Sequence, residues 1–137
     1  FVGMFGFKWG MGIAFTYSVF QMLLSFGEVL SWGLTPLTLI ATFLIDYILA
    51  YTVLGFAGLF YKKGYIGIVI GTALAVFLRF VCHYITGVFI FDIWCEWDNV
   101  WLYSLVYNGA YMLPEIILTT IGAAVIFKLP QIKKFMA

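Results

Sequence analysis

PLTLIATFLIDYILAYTVLGFAGLFYKKGYIGIVIGTALAVFLRFVCHYITGVFIF, residues 36–91, consists of two long apolar runs joined at Lys62-Lys63. Crossing a hydrocarbon core of about 30 Å takes about 20 apolar residues in a helix, and each run supplies that length. Inside lipid the backbone must pair its own polar groups, so each crossing is helical, and the short basic turn makes the two crossings antiparallel. Two further runs flank this pair, giving four spans at about 11–26, 36–61, 65–91 and 101–127. Composition agrees: 65% hydrophobic and 9% charged residues, with a mean hydropathy of +1.10, lie far from soluble-domain usage. The expectation is an all-α integral membrane protein, a single transmembrane helical bundle.

Every lysine falls on one side of these runs. Lys8 precedes the first, Lys62 and Lys63 separate the second and third, and Lys128, Lys133 and Lys134 follow the last. The opposite loops carry Glu28, Asp92, Glu96 and Asp98 and no Lys or Arg. This asymmetry places the lysines in the cytoplasm and the acidic loops outside. Trp32, Trp94, Trp97 and Trp101 gather at the outer boundary, where amphipathic rings anchor a helix or cap a pocket. The opening FVGMFGF, residues 1–7, is apolar and begins without Met; it reads as the end of an earlier helix, with more helices expected upstream. Gly67, Gly71 and Ala75 recur at helix-packing spacing, which suits either contact within the bundle or a docking face for another subunit.

The chain has a formal charge of +1, so nothing suggests nucleic acid and the lysines read as topology markers. It contains no P-loop, dinucleotide fingerprint or zinc-type spacing. No cofactor or metal is expected, and any ATP hydrolysis must lie in partner chains. Cys82 and Cys95 fit no disulfide framework.

The ionisable residues left within the spans are Asp46, Arg79, His83 and Glu115, joined by Asn108. Such groups are costly in lipid and mark function by default. Helix rise puts Asp46 roughly 15 Å, His83 about 12 Å and Asn108 about 10 Å below the outer surface. Arg79 and His83 share a helix face, as do Tyr103, Tyr107 and Tyr111, and Tyr47 and Tyr51 extend the Asp46 region. These groups outline an outward-facing pocket of aromatic rings with one carboxylate, one imidazole and one carboxamide. Aromatic faces and a carboxylate favour a cation. With His83 neutral, Asp46 and Glu115 against Arg79 leave a formal minus one for a monocation to balance; alternatively Asp46 pairs with Arg79, Glu115 is protonated, and no ligand is needed.

Gly58-Leu59-Phe60, the segment Arg79-Phe80-Val81-Cys82-His83-Tyr84-Ile85-Thr86-Gly87, the run Tyr103-Ser104-Leu105-Val106-Tyr107-Asn108-Gly109 and the tail Lys133-Lys134-Phe135 closely resemble the thiamine-specific substrate-binding subunit of energy-coupling factor (ECF) transporters. The resemblance is strong from about Ile45 onward. It implies a six-helix subunit of the bacterial plasma membrane, of which this chain carries the last four helices. That subunit would bind thiamine from outside, while an ECF transmembrane coupling protein and two ATPase subunits drive import. By position, Asp46 stands where the family has the glutamate that offsets the thiamine charge, and Tyr47 follows it as in the family. His83, Tyr103 and Asn108 match ligand-contacting positions, and Arg79 replaces a lysine. Phe91 occupies the place of a stacking tryptophan, a role that Trp94 or Trp97 would take over. Pro36 stands where the family has a tyrosine.

Two other classes compete: an intramembrane enzyme using Asp46, His83 and Glu115, and a purely structural membrane subunit. Paired acidic metal motifs and a nucleophile beside a base are both absent from the sequence, which disfavours the enzyme. The assigned sidedness makes a direct prediction. With the native outer-loop Cys95 replaced by Ser, a cysteine placed at Glu96 should react with a membrane-impermeant reagent in intact cells and one placed at Lys62 should not; the reverse pattern would invert the topology and the direction of the pocket.

Overall fold

The computed structural model describes residues 5–134. The expected end of an earlier helix falls largely on residues 1–4, and Phe135 of the basic tail on residue 135, outside that range. Four long helical rods follow one another. Helix α1 is Phe7–Leu30; α2 is a composite of Pro36–Thr42, Phe43–Leu49, Ala50–Thr52 and Val53–Gly58; α3 is Gly64–Phe89; α4 is Val100–Ile126, with a short α5 at Pro130–Lys133. The described residues contain no strand.

Local chemistry sets the ends. Gly6, at φ 83°, breaks the chain before α1 in a conformation that only glycine adopts cheaply. For that reason Phe7 opens α1 and does not close an earlier helix. Thr35 caps α2, its Oγ1 accepting the Thr38 N–H at 3.3 Å, and Pro36 occupies the first turn, where its missing N–H costs nothing. Asn99 caps α4 through Oδ1, which accepts the Leu102 N–H at 3.1 Å. α1 is longer than the span read from the sequence, and α2 gives way at Gly58 to a tight 3-10 turn over Tyr61–Lys63.

By length and composition three helical stretches can cross a membrane: Phe7–Leu30, the 54-residue Pro36–Phe89 and Val100–Ile126. The middle one folds back on itself at the lysine turn, so four rods result. Each rod is antiparallel to the one before. Tyr17 meets Tyr51 with ring centroids 5.4 Å apart, and Phe26 stacks on Phe43 at 5.2 Å. His83 meets Asp46 at 2.9 Å, the Ser104 hydroxyl donates to the Tyr84 carbonyl at 2.8 Å, and the Tyr65 hydroxyl to the Ala124 carbonyl at 3.0 Å. This order collects Lys8, Lys62, Lys63 and Lys128 at one end of the bundle and Glu28, Asp92, Glu96 and Asp98 at the other.

The glycine stripe on α3 is used up within the chain. A Cβ on Gly71 would stand 2.3 Å from the Ala57 carbonyl oxygen, and one on Gly67 2.0 Å from that of Phe60. Both glycines are buried, and Ala75 beside them is 2% exposed. Small residues thus let α2 and α3 approach backbone to backbone, the usual source of helix association where lipid removes the hydrophobic drive. Large apolar side chains instead point outward: Leu24, Leu37 and Leu118 are 80%, 79% and 70% exposed.

Within α2, Phe43–Leu49 is a π-helix centred on Asp46. Residues five apart lie about 140° apart around an ordinary helix. The i→i+5 turn reduces that angle and brings Asp46 and Tyr51 to the same side. Runs of π-helix are rare and occur often at functional sites.

Gly71→Ala should therefore destabilise the bundle by about 1 to 3 kcal/mol, because the backbone it meets cannot yield. Gly122→Ala, where nothing lies within 4 Å, should be neutral or mildly stabilising. Thermal unfolding in detergent, followed by size-exclusion elution, distinguishes them; equal melting for both variants would refute the close approach.

Candidate functional site

At the acidic end of the bundle the four rods surround a cavity of about 500 Å³, within the usual range for small-molecule sites. α1 contributes Ser25 and the following turn Trp32; α2 contributes Asp46, Tyr47 and Tyr51. α3 supplies His83, Thr86 and Gly87, and the segment after it Phe91 and Trp94. The wall on α4 is Tyr103, Tyr107, Asn108 and Tyr111.

Asp46 is 8% exposed and well held. Its Oδ1 accepts the Thr86 hydroxyl at 2.6 Å and lies 2.9 Å from His83 Nδ1. A buried carboxylate needs such donors, since desolvation would otherwise favour its neutral form. The other imidazole nitrogen, Nε2, is buried with no hydrogen-bond partner. An unpaired buried polar atom on a cavity wall is a natural contact for a ligand.

Arg79 lies outside the lining. Its guanidinium forms an ion pair with Glu115, donates through Nη2 to the Tyr51 hydroxyl at 3.3 Å and sits 4.6 Å from the Tyr51 ring centroid. Asp46 is thus not neutralised by Arg79. Glu115 is committed to Arg79 and does not join Asp46 and His83. The cavity wall carries one carboxylate and no lysine or arginine.

Asn108, 4% exposed, is held by its neighbours. Its Nδ2 donates to the Ser104 carbonyl at 3.0 Å and to Ser104 Oγ at 3.1 Å, and its Oδ1 accepts the Tyr111 hydroxyl at 2.7 Å. The donors are spent, and what remains is the second lone pair of Oδ1. This packing depends on Gly87, where a Cβ would stand 2.3 Å from Ser104 Oγ.

Aromatic rings close the outer side. Trp32 meets Phe91 and Trp94 edge-on at 5.8 and 6.2 Å, and Phe91 stacks on Trp94 at 5.5 Å. Trp97 is not on the wall; it braces Tyr103 edge-on from outside at 5.6 Å. Of the eight residues singled out from the sequence, Asp46, Tyr47, His83, Trp94, Tyr103 and Asn108 line the cavity, while Arg79 and Trp97 touch it through Tyr51 and Tyr103. Thr86, Gly87 and Ser104 escaped the sequence reading. The spacing of Thr86, three residues after His83, was the one available clue.

Fold and site together define a multi-pass membrane protein with an aromatic, anionic small-molecule cavity and no nucleotide motif. The family model "Thiamine transporter protein (Thia_YuaJ)" matches residues 2–135, and the chain belongs to that family. Thiamine transporter ThiT of Bacillus subtilis (strain 168) is 28% identical over 134 residues, covering 88% of this chain and 68% of the relative. No solved structure matches. Membership of a transporter family displaces the enzyme reading.

Thr86→Val keeps shape and deletes the donor to Asp46. The loss should be about 1.5 to 3 kcal/mol of stability, the usual cost of removing a hydrogen bond to a charged group, and Thr86→Ser should recover most of it. Chemical unfolding in detergent measures both; a Thr86→Val protein as stable as the parent would mean that Asp46 does not rely on that hydroxyl.

Proposed function

We propose that this chain is the substrate-capture subunit of a vitamin importer, taking thiamine from the outside into the cavity between its four rods. The observation that carries this reading is the charge balance. Asp46 is the one formally charged side chain on the cavity wall apart from the titratable His83, and the only arginine is occupied by Glu115. With His83 neutral, a site of formal charge minus one within an aromatic shell suits a permanently cationic ring.

In this reading Asp46 offsets the thiazolium charge and Tyr47 packs beside it. The free Nε2 of His83, the hydroxyl of Tyr103 and the open lone pair of Asn108 Oδ1 meet the polar edges of the ligand. Trp94 supplies the stacking face, Trp97 supports the wall through Tyr103, and Arg79 acts behind Tyr51. The direction of capture follows from the lysine asymmetry, which puts the cavity mouth on the outer side. Import itself is assigned to an ECF transmembrane coupling protein and two ATPase subunits, because this chain has no nucleotide motif of its own.

Isothermal titration of thiamine tests the central claim. Asp46→Asn preserves shape and removes charge, so affinity should fall by about 2 to 5 kcal/mol, roughly 30- to several-thousand-fold. Asn108→Ala, which loses neutral hydrogen bonds, should cost less, about 1 to 3 kcal/mol. If Asp46→Asn binds thiamine as tightly as the parent, the carboxylate is structural and the charge argument fails.

A further inference from the structure

Glu115 does not line the cavity, and neither the family match nor the resemblance gives it a role. It is nevertheless the residue on which the cavity's charge depends. Arg79 and His83 lie one turn apart on the same face of α3, separated by about 6 Å of helix rise. His83 is in contact with Asp46. An arginine side chain is long and flexible enough to span one helical turn, so Asp46 is the natural alternative partner for Arg79. The Arg79 side chain is 15% exposed and Asp46 8%, and opposite charges in so poorly solvated a region attract more strongly than in water.

Three contacts hold the guanidinium elsewhere: the ion pair to Glu115, the hydrogen bond to the Tyr51 hydroxyl and the stacking on the Tyr51 ring. The Tyr51 contacts involve a neutral hydroxyl and ring. The Glu115 carboxylate is the one that competes electrostatically with Asp46. Arg79 Nε is buried without a partner even so, which shows that the side chain is not fully satisfied where it lies and would gain from a second acceptor.

We propose that Glu115 is a specificity-determining positioning residue: by detaining Arg79 behind Tyr51 it leaves Asp46 uncompensated, and so makes the cavity select a cation over a neutral molecule of the same shape. Without the Glu115 charge, Arg79 turns to Asp46 and the preference for a cation is lost. The proposal deepens the thiamine reading and rests on it for the identity of the ligand, but the charge arrangement itself can be read without any ligand.

The test compares thiamine with an analogue in which a neutral thiophene replaces the thiazolium ring, titrated against the parent, Glu115→Gln and the double variant Glu115→Gln/Arg79→Gln. Glu115→Gln should weaken thiamine roughly 30-fold or more while leaving the neutral analogue nearly unchanged. The double variant should restore most of the thiamine affinity, because no guanidinium remains to neutralise Asp46. A merely structural role for Glu115 would weaken both ligands together and would not be rescued. Ligand-free melting supplies a second measurement: the stability effects of Asp46→Asn and Arg79→Gln should be additive in the parent and coupled in the Glu115→Gln background. Equal loss for both ligands, absence of rescue, or additive melting in both backgrounds would overturn the proposal. Failure of the parent to bind thiamine, with the coupling still appearing on loss of Glu115, would instead overturn the ligand assignment alone.

Discussion

A carboxyl group buried between helices in a membrane needs hydrogen-bonding partners from its neighbours, and Asp46 finds them in two side chains from α3. Thr86 donates at 2.6 Å and His83 stands at 2.9 Å, on a helix that the α2–α3 turn brings back antiparallel. The glycines of α3 allow that closeness, because Gly67 and Gly71 let the two backbones meet lower down the hairpin. The π-helical stretch of α2 turns Asp46 and Tyr51 to one side. Sequence, helix geometry and packing therefore converge on surrounding one ionisable group with partners in a place where such groups are expensive.

A second, part-buried pair, Arg79 with Glu115, whose side chains are 15% and 35% exposed, complements it. Had the single arginine closed on Asp46, the cavity would be neutral, lined with rings and without a reason to prefer a cation. Pairing of Arg79 with Glu115 ties α3 to α4 and leaves the Asp46 carboxyl on the cavity wall without a guanidinium partner.

The aromatic wall follows the same division. Trp32, Phe91 and Trp94 come from the two outer segments and contact one another over the cavity, whereas Trp97 and Arg79 act through Tyr103 and Tyr51.

The sequence by itself determined the membrane class, the four apolar runs, the segregation of lysines from carboxylates, the family and the short set of polar residues worth examining. All of these follow from local composition or from charge counting along the chain, and hydrocarbon enforces them one segment at a time. Tertiary structure decided how those residues pair. Whether Arg79 meets Asp46 or, 36 residues further along the chain, Glu115 depends on the relative depth and rotation of α2, α3 and α4, and the π-helical stretch around Asp46 rotates part of α2. Thr86, Gly87 and Ser104 were illegible for the same reason: a hydroxyl or a glycine in an apolar helix has no pattern of its own. Its role exists only once a neighbouring helix sets an acceptor or a backbone against it.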